Sequence, residues 1–153
     1  FPMALGMALS SRIQNKTFKT YALLSDGECN EGTIWEAALL APKININSLI
    51  GIIDYNKWQA TGRSDEITSF EPLLEKWKAF GWYALEVNGH DFYEIHDAFQ
   101  NCHEQNNKPC MIIAHTIKGK GVSFMEDDNN WHYKIPNNDE LQSALEELNS
   151  SFN

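Results

Sequence analysis

The apolar positions of the chain change period several times, and each change marks an element. Residues 3–13 are rich in Ala, Leu and Met, apolar on all sides in their early part, which predicts a buried helix. Phe18 to Leu24 reads as a strand running into the turn signal Ser25-Asp26-Gly27. Thr33 to Ala41 predicts a helix around Trp35, stopped by Pro42. Leu49 to Ile53 is continuously apolar, the pattern of a strand covered on both faces. A polar loop from Asn56 to Ser69 follows. Phe70, Leu73, Leu74 and Trp77 then mark one face of a helix that Gly81 ends.

Trp82 to Val87 is a further strand, and Asp91 with Glu94 resembles a capping box opening a helix that buries Phe92, Ile95 and Phe99. Cys110 to Ala114 is a short β run. A Gly- and Lys-containing loop, Lys118 to Gly121, and an irregular stretch to Pro136 lead to a last helix carrying Leu141, Ala144, Leu145 and Leu148. Strands alternating with helices predict βαβ units, and so an α/β fold of three layers with a parallel sheet between helices. The expected organisation is a single domain over residues 1–153.

Composition narrows the class. Of 153 residues, 42% are apolar, which excludes a disordered tail. Twelve basic against 21 acidic residues leave a net charge of −9, which argues against a nucleic-acid partner. The three cysteines (Cys29, Cys102 and Cys110) lack CxxC spacing, so a disulfide framework and a structural zinc site are disfavoured and a reducing, cytoplasmic setting is expected. No apolar run approaches the roughly 18 residues of a spanning helix, so no membrane partner is expected. The apolar start at Phe1 has no basic stretch before it and reads as the first helix of a domain incomplete at its N-terminus.

Ligands of parallel α/β folds bind at the carboxyl ends of the strands. Two strand ends here carry polar clusters, Ser25-Asp26-Gly27-Glu28 and Asp54-Tyr55-Asn56-Lys57-Trp58, one βαβ crossover apart. Neighbouring parallel strands would bring Asp26 and Asn56 to one edge. A carboxylate, a carboxamide oxygen and a backbone carbonyl form a hard-oxygen set for Mg2+ or Ca2+. One carboxylate is too little charge for a tight all-protein site, and a phosphorylated cofactor would complete it. Gly27 permits close backbone approach, and the helix beginning near Asn30 turns its positive end towards a diphosphate. Taken singly, each cluster is an ordinary turn; their joint spacing carries the ligand reading.

Ser25 to Gly32, Trp35-Glu36-Ala37 and Asp54-Tyr55-Asn56 together resemble the thiamine diphosphate motif of transketolases. The similarity extends to Ile117-Lys118-Gly119-Lys120-Gly121, to Trp131-His132, and back to the Phe1–Ala8 segment. The resemblance implies that Asp26, the Asn56 side chain and the Trp58 carbonyl hold the metal, and that Gly27 and Glu28 donate backbone N–H groups to the diphosphate. It implies His132 near the diphosphate or substrate, Ile117 against the cofactor rings, and Glu31 at a subunit interface, in a relay to the partner's cofactor-activating Glu. Ile117 could equally be core, and Glu31 could simply favour a helix N-terminus. Ser25 replaces the family's Gly, a strain only if φ there is positive. His90, His96, His103 and His115 read as ordinary polar residues, and Glu126-Asp127-Asp128 as a solvated loop.

The implied activity is transfer of a two-carbon ketol unit between a ketose and an aldose, on sugar phosphates. The pyrimidine-binding half is implied in a C-terminal subunit or domain, within a dimer or heterotetramer. Substrate-contacting histidines would lie upstream of Phe1. Another thiamine enzyme (a deoxyxylulose phosphate synthase or a 2-oxo acid dehydrogenase α subunit) and a non-catalytic interaction module remain open on the same residues.

Overall fold

The computed structural model describes residues 1–151. In chain order it runs through α1 (Pro2–Ile13), β1 (Thr20–Ser25), a short 3-10 helix (Gly27–Asn30), α2 (Gly32–Lys43), β2 (Leu49–Tyr55), β3 (Trp58–Gln59), β4 (Gly62–Arg63) and α3 (Ser64–Ile67). It continues through α4 (Leu73–Ala79), β5 (Tyr83–Asn88), α5 (Phe92–Glu104), β6 (Cys110–His115), a second 3-10 helix (Asn129–His132) and α6 (Asn138–Ser151). Strands β1, β2, β6 and β5 form one parallel sheet in that order. Leu49, Ile53, Met111 and Ile113 pack on one face with Leu5, Ala8, Ile34 and Ala38 of α1 and α2. Ile50, Cys110 and Ile112 pack on the other with Ala98 and Cys102 of α5. This is the three-layer parallel α/β fold that the alternating pattern predicts.

The helix carrying Trp35 runs through Pro42 instead of stopping before it. A proline in the last turn removes the N–H that would bond the carbonyl four residues back, Ala38. The Trp82 indole N–H supplies that bond from the residue just before β5, at 2.8 Å and fully buried. Trp82 also packs edge-on to Trp77, with ring centroids 4.9 Å apart, and Phe1 lies against both rings. Each such pair contributes about 0.5–1.5 kcal/mol beyond its buried area. The aromatic abundance is spent mainly here, between α1, α4 and the sheet.

Several expected details differ. α1 buries only Leu5, Ala8 and Ser11; Met3 and Met7 are exposed, because the sheet covers one side of the helix. Phe92 is 86% exposed, and α5 buries Ala98 and Cys102 instead. Asp91 caps α5 by accepting from Tyr93 and Glu94 N–H, but Glu94 reaches back to Asn88 N–H, so the box is open on one side. α4 starts at Leu73, not Phe70, because Pro72 stands at its N-cap; Phe70 is buried beside Tyr55. Gly81 ends that helix with φ +98°. The polar stretch after Asn56 is a hairpin, β3–β4, followed by α3.

Candidate functional site

Parallel register brings the carboxyl ends of the strands level: Ser25 pairs with Asp54, Asp54 with Ala114, and both Tyr55 and Asn88 with His115. Asp26 follows β1 and Asn56 follows β2, so the two predicted residues share the edge that the crossover spacing requires. Asp26 is completely buried. Its Oδ1 accepts the Gly27 N–H at 2.8 Å and its Oδ2 accepts the Ser64 hydroxyl at 2.8 Å. Burial raises its pKa, and the charge of Asp54 adds to the rise; hydrogen bonds from Ser64 and from the backbone of Gly27 and Lys57 offset part of it. No basic side chain hydrogen-bonds Asp26 among the described residues.

Lys57 turns the chain sharply after β2, in the left-handed region with φ +69°. Within that turn the Asn56 Oδ1 accepts the Trp58 N–H at 3.0 Å, and its Nδ2 donates to Asp54 Oδ2 at 3.4 Å. Asp54 also accepts the Thr116 hydroxyl. Trp58 begins β3, its ring covered by the Arg63 guanidinium 3.8 Å from the centroid. Asp127 clamps both: its carboxylate accepts two N–H groups of Arg63 at 2.6 and 2.8 Å and the Trp58 indole N–H at 2.8 Å. Those contacts hold the Asp127 carboxyl below its usual range. The acidic run read as a solvated loop is thus pinned to the hairpin through its middle residue.

Gly27 and Glu28 lie in the 3-10 helix between β1 and α2. Their N–H groups are engaged internally, Gly27 with Asp26 Oδ1 and Glu28 with the Ser25 hydroxyl at 3.1 Å. Ser25 ends β1 and is absent from the positive-φ residues, so it carries no backbone strain. Glu31 is exposed at the N-cap of α2 and makes no side-chain cap hydrogen bond.

A cavity of about 640 Å3 opens at the same edge, lined by Leu23, Asp54, Asn56, His90, Ile117 and Lys118 among others. Ile117 is 41% exposed, which disposes of its alternative as a core residue. His132 lies in the second 3-10 helix, exposed, with its Nδ1 3.4 Å from Lys118 Nζ. The edge therefore gathers Asp26, Asn56 and Trp58 around the Lys57 turn. Ile117 and Lys118 stand on the cavity wall, and Lys118 links that wall to His132. Cys29 is buried, and its thiol is pushed up to about 12 by burial and by the charges of Asp26 and Glu28, so it is not a nucleophile.

Reading the sequence alone missed Ser64, His90 and Thr116. Ser64 looks like any hydroxyl in a polar stretch, and only the fold turns it on to Asp26. His90 has a readable signal, since it follows a predicted strand end on the ligand edge. Thr116 has the same signal one position beyond β6.

No cluster of three His, Cys, Asp or Glu side chains that could hold a metal is assembled among the described residues. No helix among them is long and apolar enough to cross a membrane.

An all-parallel sheet with a buried carboxylate, a carboxamide and a cavity at its carboxyl edge defines a ligand-binding α/β domain. Residues 9–151 match the family described as "Transketolase, thiamine diphosphate binding domain", and the chain belongs to that family. It is 42% identical over 147 residues to one subunit of the apulose-4-phosphate transketolase of Actinobacillus succinogenes, covering 96% of this chain and 53% of that protein. It is 38% identical over 146 residues to the subunit of the same name from Phocaeicola vulgatus, covering 95% of this chain and 52% of that one. The chain thus spans about half the length of these curated relatives. The crystal structure of Campylobacter jejuni transketolase superposes with a TM-score of 0.89 at 29% identity, over 95% of this chain and 24% of that one.

Proposed function

We propose that this chain anchors the diphosphate of thiamine diphosphate through a divalent cation, Mg2+ or Ca2+, as part of a transketolase-type enzyme. The observation that carries the reading is the placement of Asp26 and Asn56 at adjacent strand ends, with Asp26 buried and lacking a cationic partner among the described residues. The residues present fit the group. Asp26, the Asn56 amide oxygen and the Trp58 carbonyl make an all-oxygen donor set suited to a hard cation. A single carboxylate leaves coordination to be completed by phosphate oxygens. When bound, thiamine diphosphate supplies an electron sink for breaking and making the carbon–carbon bond of a ketose.

The chain's own residues bind and orient. Gly27 and Glu28 offer backbone N–H groups to the diphosphate once these exchange their internal acceptors. Asp54 takes the Asn56 NH2, and the amide oxygen, which accepts the Trp58 N–H through one lone pair, offers its second lone pair to a cation. Ile117 presents an exposed apolar side chain for the cofactor rings, and His132 with Lys118 offers N–H donors to a diphosphate or a sugar phosphate. Glu31, exposed at the N-cap of α2, is the residue assigned to the partner interface in this reading.

The reaction is transfer of a two-carbon ketol unit between ketose and aldose, with a second subunit or domain supplying the pyrimidine-binding half, in a dimeric or heterotetrameric assembly. Both half-matched relatives are named as one subunit of a transketolase, which supports the partner. The test is binding of thiamine diphosphate with Mg2+ to the chain assembled with that partner. Asp26→Asn and Asn56→Ala should each weaken binding by about tenfold or more, since each removes a charged or polar ligand contact. Unchanged affinity in both overturns the assignment.

A further inference from the structure

We infer that His90 is a positioning residue that sets Ile117 and the start of the Lys118–Gly121 loop against the cofactor cavity; the inference rests on the cofactor reading above. The His90 Nε2 accepts the Ile117 N–H at 2.8 Å. An N–H donor requires the lone pair on Nε2, so the neutral ring carries its proton on Nδ1. Both residues line the same cavity as Asp54 and Asn56.

The surrounding turn is built to bring His90 there. Gly89 N–H donates to the His115 carbonyl at 2.8 Å, and the Asn88 carboxamide oxygen accepts the His90 N–H at 3.0 Å. A Cβ on Gly89 would lie 2.4 Å from the Thr116 methyl carbon and 3.1 Å from the His115 carbonyl oxygen, so only glycine allows this approach. On its other side the segment is held by β2: Thr116 N–H donates to the Tyr55 carbonyl at 3.2 Å, and its hydroxyl bonds Asp54. Residues 115–116 are therefore fixed by both flanking strands. Ile117 lies one residue past them, half-exposed, and His90 takes its N–H. Beyond it the chain turns away through Gly119 at φ +72°. The next tie is at Lys118, whose carbonyl accepts the Asp127 N–H at 2.9 Å. Without His90, the Ile117 N–H between these two anchors would be released and its side chain would no longer be fixed against the cavity.

The test uses the chain assembled with its partner subunit. Thiamine diphosphate affinity is measured at saturating Mg2+, and hydrogen exchange of the 115–118 backbone is followed without cofactor. His90→Leu should speed exchange at Ile117 and weaken cofactor binding by about three- to tenfold, the scale of one hydrogen bond. His90→Gln, which carries an acceptor oxygen of similar reach, should restore most of both. A His90→Leu protein with unchanged exchange and affinity overturns the inference, as does a Gln variant no better than Leu. Asp26→Asn separates the two readings. If it and Asn56→Ala both leave cofactor affinity unchanged, the cofactor assignment fails, and the exchange measurement still decides whether His90 holds Ile117.

Discussion

The Ser64 hydroxyl donates to Asp26 Oδ2 at 2.8 Å, and both side chains are completely buried. The contact joins α3 to the end of β1 across the hairpin, so the carboxylate proposed for the cation is oriented from a segment 38 residues away. A hydrogen bond to a buried charged group contributes about 1.5–3 kcal/mol. Ser64→Ala should therefore lower the unfolding free energy by that order and loosen cation affinity, read by urea denaturation and Mg2+ titration. Ser64→Cys, with a weaker donor, should fall between Ala and wild type.

A second relationship couples helix α2 to the sheet. Pro42 leaves the Ala38 carbonyl without its helical partner, and the Trp82 indole replaces it. Trp82→Phe should cost about 1–3 kcal/mol for the orphaned buried acceptor, in addition to lost packing. Pro42→Ala restores an N–H at the position the helix expects, so part of that cost should vanish in the double variant. A double-mutant cycle by chemical denaturation measures the coupling, and strict additivity of the two changes would count against the substitution of one donor by another.

Much of the fold was legible because strands buried on both faces leave long apolar runs, as Leu49–Ile53 and Cys110–Ala114 do. Capping and turn residues at Asp91 and Gly81 likewise act locally and announce themselves. The misreadings came from neighbours distant in sequence. Pro42 does not end α2 because Trp82, far along the chain, meets the carbonyl it strands. Phe92 stays exposed because α5 packs through Ala98 and Cys102, which its period alone does not distinguish. At the site, Asp26 and Asn56 were readable from spacing on adjacent strands. Ser64 and Thr116 were not, since each gains its role only when a segment folds over the strand ends. The role of Asp127 was hidden for the same reason: its partners, Arg63 and Trp58, lie more than 60 residues upstream.

Ser25 stands where the family motif has glycine, and its hydroxyl accepts the Glu28 N–H. That N–H is one of the donors proposed for the diphosphate, so the side chain competes with the ligand. The competition is small, because water replaces either partner at this exposed position and one such bond nets about 0.5–1.5 kcal/mol. Ser25→Gly should tighten thiamine diphosphate binding about two- to fivefold by calorimetry, with no loss of Mg2+ dependence. Weaker binding in Ser25→Gly would mean that the hydroxyl instead preorganises the turn for the ligand.

The buried thiol of Cys29 makes stability sensitive to alkaline pH. Burial and the nearby Asp26 and Glu28 charges push its pKa from an ordinary 9.0 up to about 12. Between those values the unfolded chain loses the thiol proton while the folded chain keeps it. The folded state therefore binds more protons, and stability falls as pH rises. Below about 9 the thiol is protonated in both states and contributes no slope, and above about 12 it is ionised in both. In that window the contribution approaches about 1.4 kcal/mol per pH unit at most. Cys29→Ala removes the titrating group, so its unfolding free energy should decline less steeply than wild type from pH 9 upwards, measured by urea denaturation at stepped pH. The same burial predicts that iodoacetamide leaves Cys29 unmodified at pH 8 until the protein is unfolded. Parallel pH profiles for the two proteins, or rapid native-state alkylation at Cys29, would show that the thiol is not held in its protonated form by the fold.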